Sequence, residues 1–482
     1  MTLLLRQDEV NPDEPCHNGR TPLSYAAEDG HKEVAKILLK QERVNHDRPS
    51  NFDNTPLSYA VQNGHEELVQ IVLRREEVNL DKLDNFGITS LSHAAWRGHV
   101  DVVKILLGRE DVTPERPDND GDTPLSGAAR DGHEGLVKIL LEEGGVSPDQ
   151  SNDTSRTPLS RAAENGHAGV VKILLRREEV DPDRPDSSGR TPLWYAAGEG
   201  HEEVVKILLG REDVNPDKQD NGGQTPLSST AWDGHEGGAK ILLGCKEVDP
   251  DKPNNCVRTP LWYATGGGHQ EMVKILLRRE EVYPDKPDDN NNTPLSIAAQ
   301  EGHQDVVKIL LGREEVNPDK PDNGGRTPLL YAAWRGREEV VKILLGRDEV
   351  NPDKLDNHGN TPLWIAVQEG HQDVVKILLG REEVNPEKPD NDGDTPLSCA
   401  ALDGREEVVK ILLEHEGVSP DKLNHTGRTP LSYAAWKGHE GVVKILLGRE
   451  EVNPNMADNN GQTPLMYAAR HGHQRVVELL YR

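Results

Sequence analysis

An all-α solenoid, built of helix-turn-helix units joined by extended finger loops, is the fold class this sequence predicts, on three observations. A threonine recurs every 34 residues from Thr21 to Thr463, fourteen times without an insertion, and only Thr89 is followed by Ser90 instead of proline. A glycine stands nine residues after each threonine, from Gly30 to Gly472. An apolar run of the type Val-Val-Lys-Ile-Leu-Leu then precedes a stretch rich in Pro, Asn, Asp and Gly.

Each element follows from its residues. Threonine before proline starts a helix, because the hydroxyl caps free backbone N–H groups and proline gives up a donor that had no partner there. The first helix, for example Pro430 to Trp436, is about two turns long. The glycine suits a turn between antiparallel helices that needs positive φ. In the second helix, Val204, Ile207 and Leu208 fall on one stripe, with Glu202 and Lys206 paired four apart outside it. The prolines and Asn/Asp/Gly clusters that follow favour a protruding turn. Such a unit buries its stripe only by stacking on neighbours. At the ~8 to 10 Å spacing of packed helices, fourteen units extend on the order of 110 to 140 Å as a long, curved rod.

The expected organisation is a partial unit over residues 1–20, the end of a second helix plus a finger, then fourteen units over 21–482, the last incomplete. Because "TLLLRQDEVNPDEP" begins inside a unit and "VVELLYR" stops before a finger, the chain is expected to be a module of something larger.

Composition narrows the function. Aromatic residues make up 4% of the 482, with two Phe, while Gly (45) and Pro (33) are abundant, which favours many small cores over one large one. A net charge of −28 argues against nucleic acid and anionic membrane surfaces as partners. No apolar run approaches the ~20 residues that span a bilayer. Cys16, Cys245, Cys256 and Cys399 form no CxxC pair, which fits a reducing compartment. The expectation is an intracellular, cytoplasmic protein without membrane insertion and without an obligate homo-oligomer.

The motif "TPLSYAAxxGH", followed by "VVKILL" and "VN", resembles the ankyrin repeat over nearly the whole chain. The density of near-identical blocks, such as 306–323 and 340–357, resembles fungal-type ankyrin arrays. The resemblance implies L-shaped units whose first helices and fingers line a concave groove, and a function of binding other proteins with no catalytic residues. As alternatives it leaves a recognition or regulatory arm of a larger signalling protein, or a mechanical spacer. Two departures stand out. The period is 34 rather than the family's 33, and where the family has His after Thr-Pro-Leu this chain has Ser in nine units, Trp194, Trp262 and Trp364 in three, and Leu330 and Met466 in the others. The family's histidine hydrogen-bond network therefore does not carry over.

No cofactor, metal or catalytic site is expected. Twelve histidines follow the turn glycine, as in His31, His65 and His99, and their repeat spacing of roughly 10 Å exceeds the ~2 Å bonds of zinc. "DNDGD" at 118–122 resembles the start of a calcium loop but lacks its glycine and glutamate, with Thr123 and Ala129 in those places.

The candidate binding residues occupy the two variable slots before the turn glycine, which the resemblance turns toward the groove. Trp96, Trp232, Trp334 and Trp436 fill the first slot, and Arg97, Asp233, Arg335 and Lys437 the second. Tryptophan buries a large area at little entropic cost and is favoured at binding hot spots. The alternative is that these rings pack on neighbouring helices or fingers. Trp194, Trp262 and Trp364, earlier in the first helix, are expected to be core. Residues 225 to 290 are expected to open first, since Gly238 and Ala239 replace two valines and Val257 replaces a finger glycine.

Overall fold

The computed structural model describes residues 11–75 and 78–481. The helix end expected within residues 1–10 lies outside the described residues. Among those described there are 28 helices and no strands. The chain divides into two compact halves, 1–249 and 250–482. The first holds helices from Pro22–Glu28 to Glu236–Leu242, and the second from Pro260–Gly267 to Gln474–Leu480. Within each half, every first helix packs on the first helix of the next repeat, and every second helix on the next second helix.

The threonine caps form as the sequence dictates. In all fourteen first helices the Thr hydroxyl accepts the backbone N–H three residues on, as Thr21 does from Ser24 at 3.2 Å. Where that residue is serine, its hydroxyl oxygen can accept the threonine N–H and close a capping box, as Ser24 does from Thr21. Serine thus fills with a local bond the place that histidine holds in the family.

The turn glycines all adopt positive φ, between 65° and 88°. A second constraint adds to this one. The imidazole of the next repeat lies against the glycine: a Cβ on Gly132 would stand 2.5 Å from His167 Nδ1. The Nε2–H of the same histidine donates to a carbonyl 37 residues earlier, as His167 does to Arg130 at 2.8 Å and His303 to Gly266 at 3.0 Å. Where arginine replaces histidine the bond persists, from Arg337 to the Gln300 carbonyl and from Arg405 to that of Gln368. A further rung closes helix ends, with Arg211 donating to the Leu175 carbonyl and Arg381 to that of Leu345.

The core is made of small and branched residues, such as Leu193, Ala196, Ala197, Val204, Val205 and Leu208. Here the expected stripe needs correction. Val205 is fully buried while Ile207 is only half-buried. A second helix has a neighbour on either side as well as its own first helix, so its buried face is wider than one 3.6-residue stripe. The expected Glu202–Lys206 pair forms at 4.0 Å.

Fingers are tied to one another as well. Asn357 Nδ2 donates to the Asn323 carbonyl at 3.0 Å, and Lys354 Nζ reaches Asp319 Oδ2 at 2.9 Å. Inside most fingers a buried or half-buried acid or amide five residues before the threonine organises the turn, while Cys16 and Ser50 hold that place in the first two. Asp322 Oδ1 accepts the N–H groups of Gly324 and Arg326, and its Oδ2 accepts the Tyr331 hydroxyl at 2.7 Å.

Candidate functional site

The slot two residues before each turn glycine ends the first helix, so its side chain faces either solvent or the next first helix. Size decides which. A Cβ on Gly198 would meet the Ser229 hydroxyl at 2.4 Å, and one on Gly266 would meet Ile297 at 3.3 Å. The slot therefore addresses the residue four places after the next repeat's threonine.

Trp96 uses that contact. In the next repeat the receiving position is Gly127, where other repeats carry larger residues such as Tyr59, Arg161 and Ile297. A Cβ there would lie 1.6 Å from the indole ring. The ring is half-buried over the glycine, with the Arg130 guanidinium 5.2 Å from its centroid. Arg97 beside it is exposed.

The other three tryptophans differ. Trp232 is 54% exposed, and Asp233 is exposed next to it. Trp334 and Trp436 are half-buried, each with its exposed neighbour over its own ring: Arg335 at 4.8 Å and Lys437 at 4.6 Å from the centroid. Arg428 also lies 5.3 Å from the Trp436 ring and donates to the Tyr467 hydroxyl at 3.0 Å. The sequence places no two of the four tryptophans on adjacent repeats. The structure brings three of the rings together with cationic or aromatic neighbours of their own: Arg130 at Trp96, Tyr331 at Trp334, Tyr433 at Trp436.

Of the three tryptophans expected in the core, Trp262 is buried, whereas Trp194 and Trp364 are half-buried. Each indole N–H of the three is shielded and meets no acceptor among the described residues. Arg258 and Arg190 stack over Trp262 and Trp194 at 4.2 and 5.4 Å.

The geometry assigns the bonded ladder histidines a structural part. A carbonyl only accepts, so the bonded Nε2 carries the proton, and Nδ1 lies against the preceding turn glycine, as in His99, His133 and His167. Neither nitrogen is left to coordinate a metal. Among the described residues no group of three or more His, Cys, Asp or Glu could hold a metal ion. The four cysteines are free thiols; burial pushes that of Cys399 up. Burial and the Asp186 carboxylate push the Tyr195 hydroxyl up to about 12, so it stays a hydrogen-bond donor.

Sequence reasoning passed over one exposed pair. Phe52 and Phe86, the only phenylalanines in the chain, stand on adjacent fingers, 55% and 68% exposed. Their rarity and shared register were the available signal.

Compared with known protein families, the chain is similar to the family described as ankyrin repeats (3 copies). Overlapping matches run from 1–82 and 42–116 through 234–322 to 416–482 and together span the chain. No curated protein matches it.

Proposed function

The chain belongs to the ankyrin-repeat family, and from that premise we propose that it is a non-catalytic scaffold that binds partner proteins through the face carrying the slots before the turn glycines. Ankyrin repeats are in general protein-protein interaction modules. Trp232, Trp334 and Trp436 are its anchors, with Asp233, Arg335 and Lys437 as polar neighbours. Trp96 and Arg97 contribute the exposed edge of a ring whose other side packs on Gly127. The observation that carries this reading is the exposure of Trp232, a large apolar ring more than half in water at a variable slot. Arg335 and Lys437 fit the same part, since a cation stacked on a ring can swing to an acidic group of a ligand and free the ring for burial.

A net charge of −28 supports proteins over nucleic acids as partners, and the free cysteines support an intracellular, cytoplasmic setting. No described helix is long and apolar enough to cross a membrane. The domain division that fits the period is a partial unit over 1–20 followed by fourteen repeats over 21–482.

The test is a quantitative pull-down with wild type against W232A/W334A/W436A, after amide exchange has shown equal protection of the helices. Loss of captured partners in the variant is the expected result. An unchanged partner set would favour the mechanical-spacer alternative and remove these slots from the binding surface.

A further inference from the structure

Phe52 and Phe86 stand three residues before Thr55 and Thr89, at the same register of successive fingers. No other finger carries a large apolar residue at this position; the flanking tips have Asn18 and Asp120. Backbone bonds hold these tips in line. The Asn85 N–H donates to the Phe52 carbonyl at 3.3 Å, and the Asn119 N–H to the Phe86 carbonyl at 3.0 Å. The side-chain amides repeat the tie, Asn85 to the Asn51 carbonyl and Asn119 to that of Asn85. The next tip in the row, Asp120, is exposed and flanked by Asp118 and Asp122 in one turn. Two rings and a carboxylate therefore follow each other at the spacing of one repeat.

We propose that Phe52, Phe86 and Asp120 form a docking row for an amphipathic helix of another protein, with apolar side chains seven residues apart and a lysine or arginine one further heptad along. The proposal rests on the protein-binding reading above and adds the partner's chemistry and a second surface. Packed helices set the repeat spacing at ~8 to 10 Å. A helix rises 1.5 Å per residue, so seven residues advance about 10.5 Å and return nearly to the same face after two turns. An extended strand would cover the distance in about three residues, and an odd step turns the second side chain to the opposite face. The geometry matches a helix and mismatches a strand. Charge selects its sign: the row ends at the exposed carboxylate of Asp120, with half-buried Asp118 beside it and Asp122 already paired with Arg161 at 2.7 Å, on a chain of net charge −28, which attracts a basic segment and repels an acidic one.

The experiment uses the full chain and a fluorescein-labelled synthetic helical peptide with leucines on one stripe at heptad spacing and lysines one heptad beyond. A control of identical composition has its leucines spread around the helix. Fluorescence anisotropy is read at low and high salt. The expected result is binding of the striped peptide, at least tenfold weaker for both the control and the F52A/F86A variant, and a flatter salt dependence for D120N. Absence of binding by wild type, equal affinity for the control, or undiminished affinity of F52A/F86A would overturn the proposal. The slot variant W232A/W334A/W436A separates the slots from the row. If it alone loses the peptide, the row is overturned and the scaffold reading stands; if it keeps both peptide and lysate partners, the slot anchors fail and the row stands. Sedimentation of wild type that grows with concentration, but not in F52A/F86A, would assign the rings to self-association and overturn the proposal as well.

Discussion

At the scale of single residues, turn glycines such as Gly132 are fixed twice over, by their left-handed backbone and by the imidazole laid against them, a place that Arg337 and Arg405 take at Gly302 and Gly370. Gly132→Ala should therefore cost more than the ~1–2 kcal/mol of left-handed strain alone, because its methyl would enter the His167 ring. The companion H167A removes the obstruction, so G132A/H167A should cost less than the sum of the two single changes, a coupling that a double-mutant cycle reads directly. Strict additivity would disprove the contact. Trp96→Ala empties the space over Gly127 and should destabilise by about 2 kcal/mol, below the range for a fully buried ring because half of this one is in water. Faster amide exchange in Ser90–Arg97 and Pro124–Arg130 is the readout, and unchanged exchange would return Trp96 to the binding surface alone. The glycine was legible from its fixed place in the repeat. The Trp96–Gly127 pair was not, because its two halves lie in different repeats and only the packing pairs those slots.

At the scale of elements, the second helix of the seventh repeat, Glu236–Leu242, carries Gly238 and Ala239 where valines usually stand. The lost volume is partly replaced from across the hairpin. Thr230 takes the place of a core alanine, and its methyl lies 3.4 Å from where a Gly238 Cβ would be. Its hydroxyl is satisfied by the Pro226 carbonyl at 2.7 Å. The helix thus escapes a full cavity and keeps the glycine cost of roughly 0.5–1 kcal/mol relative to alanine. Gly238→Ala should recover about that amount, since 3.4 Å is ordinary contact, and should slow exchange in Glu236–Leu242, which in wild type exchanges faster than Glu202–Leu209. Equal protection of the two wild-type helices would sink the idea. In the following finger Val257 adopts φ 62°, a strained choice for a β-branched residue where most other fingers use glycine and three use Asp53, Ser155 or Asn291. The sequence exposed both weak points by departure from the repeat; the filling by Thr230 needed the two helices to be seen side by side. Helix starts, turns and the repeat length were legible for the same reason, each being written fourteen times, whereas the extra width of the buried face, which takes in Val205, depends on neighbours on both sides.

At the scale of the whole molecule, pH acts through a periodic set of aspartates. Asp47, Asp149, Asp183, Asp285, Asp319, Asp353 and Asp421 each stand eight residues before a repeat threonine. Burial raises the pKa of each, and its Oδ1 meets no hydrogen-bond donor among the described residues. A raised carboxyl binds more protons folded than unfolded, so it adds stability as pH falls through its folded value toward the ordinary ~3.9. Asp84, Asp186 and Asp458 oppose this; partners such as His93, Tyr195 and Tyr467 hold them below the usual range despite burial, and their contribution is lost as pH falls beneath ~3.9. Thermal stability should rise from neutral pH toward mild acid and then decline. Asp353→Asn should flatten the rise. A melting temperature that falls steadily from pH 7 downward would contradict this assignment.

The bonds that tie repeat to repeat have one further consequence, for heredity. The histidine rungs reach back 37 residues, the helix-end arginines 36 and the finger amides 34, each joining a repeat only to its neighbour. Misaligned recombination between copies, stepping by 34 residues, would add or delete whole repeats without severing a rung, while a gain or loss of any other length would break several at once. Reading frame and folding frame thus coincide, and array length can drift across generations while every surviving copy still fits the next.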